Sequence, residues 1–273
     1  MKSLIVPVDF SQQSEFALQT AAGLARSRDA ELIVVHMLEL NYAMISSAEA
    51  FSAQQSVLLL KAAEKRLAGF LDKPYLEGIR VTPVIKHYKV FSEVNEIAEK
   101  HDAGLIVMGS HGSDGLEELF IGSNAERVVR HSEVPVLVVK QAPGDFSVDT
   151  VVFACDFSDE ILPAYARALD FAEDLGASFL PVYVNTPGDG FLSTAEANAR
   201  IAEFQRQAGT GLEADIYNDY SVERGVLAYA EAVNADLIAI PTHGRKGITH
   251  FFMGSIGEDI ANHSRLPVLT FRI

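Results

Sequence analysis

The sequence predicts an α/β protein built from two doubly wound parallel sheets that are related by internal duplication. Short, continuously apolar segments alternate with segments of helical periodicity, which is typical of parallel strands covered by helices on both faces. The chain also repeats itself, because an Asp-Phe-Ser sequence recurs after 147 residues and a glycine-rich loop recurs after 132 residues. A chain of 273 residues is long enough for two domains, which we expect at residues 1–141 and 149–273.

The first half contains five predicted strands separated by helices. The opening strand, at residues 4–8, precedes a helix at residues 12–28 whose apolar side chains lie on one face. Pro83 lies inside the third predicted strand, and we expect this strand at a sheet edge because proline cannot donate a ladder hydrogen bond. The other predicted elements are strands at 32–37, 79–85, 104–108 and 135–140, and helices at 48–71, 90–100 and 125–130.

After a linker at residues 141–145 the series of elements restarts. Segments at 151–158, 179–184, 237–240 and 267–271 repeat the first, second, fourth and fifth strands of the first half. The last apolar strand of each half would form a bare sheet edge, which invites pairing with another strand. We therefore expect residues 135–140 and 267–271 to pair antiparallel, so that one chain resembles a dimer of single-domain proteins.

Composition and charge exclude several classes of function. The net charge of −15 argues against nucleic acid or an anionic membrane as the main partner, because both require a basic surface. Cys155 is the single cysteine and is expected to be a small core residue, so no intrachain disulfide is available. No apolar run approaches the roughly 18 residues of a membrane span, and the first residues lack a signal-peptide pattern. We therefore expect a cytoplasmic protein.

A glycine-rich loop after the fourth strand is the first candidate site. Glycines at positions 109, 112, 115 and 122 allow bare backbone to approach a ligand closely. Gly122 and Ser123 then open a helix, where unpaired N–H groups and a partial positive charge favour an anion. Strand, glycine loop and helix N-terminus together have the layout of a phosphate site.

A purely structural explanation of the same residues stays open. Ser123 and Glu126 fit a capping box, and so do Ser255 and Glu258 in the second half. The serines would then only cap their helices, and the glycines would only make turns.

Asp9, at the end of the first strand, is the second candidate. In a doubly wound sheet, ligands bind beyond the carboxyl ends of the strands where the strand order reverses. If the first and fourth strands are neighbours, Asp9 and Gly109 flank one crevice, where a carboxylate can accept hydrogen bonds from ribose or base. The alternative is a helix N-cap or turn residue. We expect His36 to be a buried histidine with a hydrogen-bond partner, and His111 and His243 to pack within their loops.

These residues carry a family resemblance. The pattern Gly109-x2-Gly112-x9-Gly122-Ser123, with Asp9 at the end of strand one, resembles the nucleotide-binding pattern of the universal stress protein family in its tandem form. The resemblance covers nearly all of the chain and implies five-stranded parallel sheets of order 3-2-1-4-5. In some members it also implies bound ATP, and others lack the motif and bind none. The implied nucleotide-binding residues are Pro7, Val8, Asp9, Met37, Met108, Gly109, Gly112, Gly122, Ser123 and Asn124.

The two halves depart from this pattern in different ways. In the second half Pro241 occupies the position of the first glycine, where its ring adds bulk and removes an N–H. The first loop carries Asp114, Glu117 and Glu118, whereas the second carries basic residues. Because steric exclusion is not screened and exposed charges are, we expect the first half to bind. A second candidate site would consist of Asp156, Gly244, Arg245, Gly254 and Ser255.

The predicted function is that of a cytoplasmic stress-response sensor or regulator that binds ATP or another adenine nucleotide, with or without Mg²⁺. No residue presents itself as a general base positioned on a nucleophile, so no catalytic residue is predicted. Two alternatives remain open: a slow ATPase or phosphotransferase, and a scaffold with empty sites or a different small molecule. A homodimer of the tandem chain is a further open possibility.

Overall fold

The computed structural model describes residues 1–38, 53–87, 90–110, 122–142, 144, 147–188, 190–242 and 255–273. The strands described are β1 (Ser3–Val8), β2 (Glu31–Leu38), β3 (Val81–His87), β4 (Ala103–Gly109), β5 (Val136–Val139), β6 (Thr150–Ala154), β7 (Ser178–Asn185), β8 (Asp215–Asn218), β9 (Leu237–Thr242) and β10 (Val268–Arg272). The helices described are α1 (Gln12–Arg28), α2 (Ala53–Leu71), α3 (Val90–Lys100), α4 (Ser123–His131), α5 (Leu162–Leu175), α6 (Thr194–Ala208), α7 (Val222–Ala232) and α8 (Ser255–His263). Short 3-10 turns lie at Pro74–Leu76 and Asp159–Ile161.

The strands form one sheet in the order β3-β2-β1-β4-β5-β10-β9-β6-β7-β8. Within each half the order is 3-2-1-4-5 and neighbouring strands are parallel, so the predicted fold class is confirmed. The second strand lies on one side of the first and the fourth on the other. This reversal of strand order places the switch point of each half between its first and fourth strands.

The two halves join through their last strands. β5 and β10 pair antiparallel, with Val138 opposite Val268, Leu137 opposite Leu269 and Val136 opposite Thr270. All six residues are 2% exposed or less. The predicted antiparallel pairing is confirmed, and each half covers the apolar edge that the other would otherwise leave open.

In the first half of the chain both faces of the sheet are buried, as continuously apolar strands require. Leu4 and Val6 pack in the core cluster that contains the apolar face of α1. Ile5, between them, belongs to the cluster on the opposite face with Val94 of α3 and Val128 of α4. Alternate residues of β1 therefore point to opposite layers of helices.

Local elements follow the sequence prediction closely. α1 and α3 have the predicted bounds of residues 12–28 and 90–100. β3 is the terminal strand of the sheet, so the edge position inferred from Pro83 is confirmed. The predicted helix at 48–71 is described from Ala53 onward, and its first residues lie outside the described part. Among the described helices, none is both long enough and apolar enough to cross a membrane.

Candidate functional site

The candidate site lies at the carboxyl edge of the first half. β1 pairs directly with β4, so Asp9, which follows β1, and Gly109, which ends β4, belong to the same edge of the sheet. The other predicted residues of this half that lie in strands are Pro7, Val8, Met37 and Met108, all in the last residues of β1, β2 and β4. Val8 and Met108 are each 5% exposed, and the others are half-buried.

Asp9 forms a turn that fixes its own carboxylate. Its Oδ1 accepts hydrogen bonds from the backbone N–H of Ser11 at 3.0 Å and from the Ser11 hydroxyl at 2.5 Å. Phe10, between them, has a φ of +67°, which a non-glycine residue adopts only when its surroundings hold it there. Ser11 is the N-cap of α1 and accepts from the N–H of Ser14 at 3.2 Å. Asp9 is therefore the turn residue, and Ser11 is the cap.

Gly109 is required by a close approach between two elements. A Cβ atom at this position would lie 2.7 Å from the carbonyl carbon and 2.8 Å from the carbonyl oxygen of Gln13, in the first turn of α1. Because the obstructing atoms are backbone, no side-chain adjustment relieves the clash. Gly109 thus lets the start of α1 lie directly on the end of β4.

The two residues that flank the undescribed part of the glycine loop, Ser110 and Gly122, are hydrogen-bonded to each other. Ser110, 1% exposed, donates its N–H to the Val139 carbonyl at 3.0 Å, and its own carbonyl accepts from the N–H of Gly122 at 2.6 Å. These two bonds bring Gly122, the N-cap of α4, to the end of β4. The N-terminus of α4 therefore lies at the same edge as the Asp9 turn.

The capping box that the sequence left open at Ser123 is not formed. α4 begins at Ser123 itself and its N-cap is Gly122, while Glu126 forms an ion pair with Arg130 at 3.1 Å. In the second half α8 is described from Ser255 onward, and the residue before it lies outside the described part of the chain. A glycine cap has no side chain with which to accept from the first N–H groups of α4, and such groups are a ready site for an anion.

The predicted histidine of β2 has its partner but is less enclosed than expected. The His36 Nδ1 atom is hydrogen-bonded to the Val8 carbonyl at 2.9 Å, which confirms a satisfied side chain. The residue is half-buried rather than buried, near the carboxyl end of β2. The centroid of its ring lies 4.2 Å from the centroid of the Phe10 ring. The Arg66 guanidinium of α2 lies on the same Phe10 ring, 4.3 Å from its centroid.

The second half repeats the Asp turn but encloses its edge. Asp156 Oδ1 accepts from the Ser158 N–H at 3.0 Å, and Phe157 has a φ of +54°. Asp156 is only 9% exposed, and Val184, which matches Met37, is 1% exposed. The Asn185 side chain also holds Leu192 through two hydrogen bonds, of 3.0 and 3.1 Å, which folds the following loop back over the end of β7.

Cys155 is a core residue, as expected. It is fully buried directly after β6, and burial raises the pKa of its thiol well above the ordinary value. A buried neutral thiol has no role as a nucleophile at neutral pH.

Several predicted site residues lie outside the described residues. They are Gly112, Gly244, Arg245 and Gly254, together with His111, His243 and the acidic residues of the first loop. Of Ser123 and Ser255 the backbone position alone is described. Sequence reasoning missed Ser11 and Ser110; the Asp-x-Ser spacing shared by both halves is a signal that could have identified the first of them.

A cavity of about 320 Å³ lies between the halves, away from this edge. It is lined by Met1, Ala103, Gly104, Glu133, Val134, Pro135, Arg167, Asp170, Phe171, Asp174 and Phe271. Its polar lining is mainly acidic, which does not suit a phosphate group. The carboxyl edge of the first half remains the candidate site for an anion.

The fold and this edge together define a class: a tandem doubly wound α/β protein whose candidate ligand site lies at a topological switch point. The chain belongs to the universal stress protein family, whose family model matches residues 1–140 and again residues 147–272. The tandem form expected from the sequence is thereby confirmed.

Single-domain relatives each match about half of the chain. Universal stress protein MJ0531 of Methanocaldococcus jannaschii is 32% identical over 140 residues, which cover 51% of this chain and 82% of that protein. Universal stress protein MJ0577 of the same organism is 29% identical over 154 residues, covering 51% and 95%. The crystal structure of a universal stress protein from Archaeoglobus fulgidus matches 99% of this chain and 98% of its own, with 23% identity and a TM-score of 0.70. That structure shares the whole tandem fold.

Proposed function

We propose that this protein binds an adenine nucleotide, with ATP as the leading candidate, at the carboxyl edge of its first half and serves as a cytoplasmic stress-response sensor or regulator. The observation that carries the proposal is the hydrogen bond from the Gly122 N–H to the Ser110 carbonyl, 2.6 Å long, between the residues on either side of the glycine loop. This bond holds the glycine-capped end of α4 beside the Asp9 turn, so groups suited to the two ends of a nucleotide belong to one edge.

The phosphates would bind at the start of α4. The first N–H groups of a helix have no partner within the helix, and the helix dipole favours negative charge there. Gly122 is half-buried and Asn124 is exposed in the first turn, so the backbone is open to a ligand. Backbone N–H groups can hold phosphate despite a net charge of −15, because they act at hydrogen-bond distance.

The nucleoside would bind between Asp9 and the end of β2. The Asp9 carboxylate is oriented by Ser11 and can accept hydrogen bonds from ribose hydroxyls. Met37 is half-buried at the end of β2, where its backbone would lie alongside the base. Pro7, Val8 and Met108 would form the floor of the site.

The first half is the preferred binding half because the end of its second strand is less enclosed than the matching strand end in the second half. In the second half Val184 is buried, and a Cβ on Gly225 of α7 would lie 2.4 Å from its Cγ1, so α7 is packed tightly against this strand. Pro241 replaces the glycine that ends β4 in the first half. The end of β7 is therefore more enclosed than the matching end of β2, where Met37 is half-buried.

The decisive experiment is mass spectrometry of the small molecules released when the purified protein is denatured. We expect an adenine nucleotide, and titration calorimetry with ATP, ADP and AMP, with Mg²⁺ and with EDTA, then ranks the ligands. Release of no nucleotide, together with no heat of binding, would favour the scaffold alternative. Phosphate release under saturating ATP would identify a slow ATPase instead of a simple binding protein.

A further inference from the structure

Each half holds the last helix of the other half by a cation. Arg272, the final residue of β10, donates from Nη1 to the His131 carbonyl at the end of α4, at 3.2 Å. Lys140, directly after β5, donates from Nζ to the Asn262 carbonyl near the end of α8. Arg272 and Lys140 occupy matching positions 132 residues apart, so the antiparallel pairing of β5 and β10 generates both contacts.

A cation suits this position for two physical reasons. The last carbonyl groups of a helix lack intrahelical partners, and the helix dipole gives this end a partial negative charge. The His131 carbonyl is held from within its own half by Asn95 Nδ2, at 3.0 Å, and from the second half by Arg272. The second half adds another contact just beyond α4, where Arg167 Nη2 donates to the Glu133 carbonyl at 3.1 Å.

The helix held in this way is the one that begins at the proposed phosphate site. α4 has nine residues and is about 13 Å long, so it moves as a rigid rod. Ser110 anchors its first end through Gly122, and Arg272 anchors its last end from across the molecule. A contact at the last end therefore bears on the position of the first N–H groups through the body of the helix.

We infer that Arg272 is a positioning residue, through which the second half sets the place of the phosphate-binding helix of the first half. This inference rests on the proposed nucleotide site. The second half would thereby have a part in nucleotide binding at the site of the first half. Lys140 makes the equivalent contact with α8, which carries no proposed nucleotide, so the chain supplies its own matched control.

The test compares Arg272→Met with Lys140→Met in the full chain, by ATP calorimetry at pH 7. Arg272→Met should weaken ATP binding by about two- to fivefold, the equivalent of a helix-terminal charge interaction. Lys140→Met should leave the affinity unchanged, although it disturbs the same interface between halves. Arg272→Lys should restore most of the affinity, because it keeps both the charge and a donor. An equal loss in both methionine variants, or no loss in either, would overturn the inference.

Hydrogen exchange separates this inference from the proposed function. Arg272→Met should speed amide exchange in residues 123–131 and leave 255–263 unchanged, and Lys140→Met should do the reverse. If the parent protein binds no nucleotide, the proposed function fails and the exchange pattern alone decides the positioning role. If Arg272→Met gives no cooperative thermal transition, Arg272→Gln is used in its place. Unchanged exchange in α4 would contradict the inference in either case.

Discussion

The two halves share one framework and differ at the carboxyl edge of the sheet, where the candidate site lies. Both have the strand order 3-2-1-4-5. Both also end the first strand in an Asp turn that contains a phenylalanine with a positive φ, Phe10 in one half and Phe157 in the other. Met37 is half-buried, whereas its counterpart Val184 is buried. Duplication has thus preserved the backbone geometry at the switch point, while the end of the second strand is more enclosed in one copy than in the other.

The exchange of Gly109 for Pro241 accompanies a change in the neighbouring helix. In the first half α1 begins at Gln12, and its first turn lies on Gly109. In the second half a 3-10 turn at Asp159–Ile161 comes first and α5 begins only at Leu162. The residues that match the first turn of α1 thus form a 3-10 turn in the second half. The comparison teaches that the glycine at position 109 is required by the packing of a helix on a strand, whatever its part in binding a ligand.

The largest expected effect comes from Gly122→Val. Valine fits the extended backbone of this position, with φ −62° and ψ 150°, but it adds a branched side chain where phosphate would approach the helix. Calorimetry should show no ATP binding, while circular dichroism stays unchanged. The matched variant Gly254→Val in the second half should bind as the parent does. ATP binding by Gly122→Val would locate the site elsewhere.

A smaller loss of ATP affinity is expected from replacing Asp9, with Asp156 as the matched control. Asp9→Ala removes a charged acceptor and should weaken ATP binding by roughly ten- to a hundredfold, the usual cost of a charged hydrogen bond. Asp156→Ala removes the matching group from the enclosed edge and should leave binding unchanged. Titration of both variants checks this. If Asp156→Ala abolishes binding and Asp9→Ala does not, the second half is the binding half.

Alanine substitutions at one glycine in each half should change the free energy of unfolding by different amounts. Gly109→Ala would bring a methyl group within 3 Å of the Gln13 backbone, which should lower the free energy of unfolding by about 1–3 kcal/mol. The control is Gly257→Ala in α8, where the nearest atoms to the added Cβ lie at 3.5 Å. That variant should be neutral or should stabilise by up to about 1 kcal/mol, because alanine favours helix. Urea unfolding measures both, and equal values would mean that α1 does not constrain β4.

A pH dependence of stability is also expected at the contact between the halves. Burial lowers the pKa of Lys140 from its ordinary value of 10.5 to about 8. Between these values the unfolded chain holds a proton that the folded chain has lost, so stability due to this group rises with pH. The parent protein should therefore gain stability relative to Lys140→Met as the pH rises from 8 towards 10.5. A flat difference in urea midpoints would show that the ammonium group is solvated in the folded protein.

The sequence by itself determined the fold class, the duplication and most element bounds. α1 and α3 were predictable because apolar periodicity acts within a few residues. The pairing of β5 with β10 was predictable because two bare apolar edges in one chain need a partner. The family was recognisable because the glycine loop and Asp9 form a spaced pattern.

Only the tertiary structure decided how the site is built. Ser123 has the sequence of a cap and lies inside the helix instead, because Ser110 fixes Gly122 as the turning point. The clash that requires Gly109 arises where α1 crosses β4, nearly a hundred residues away in the chain. Arg272 and His131 are separated by 141 residues, and no periodicity records which carbonyl a terminal arginine reaches. Local patterns depend on neighbours in sequence, whereas these contacts depend on where whole elements pack.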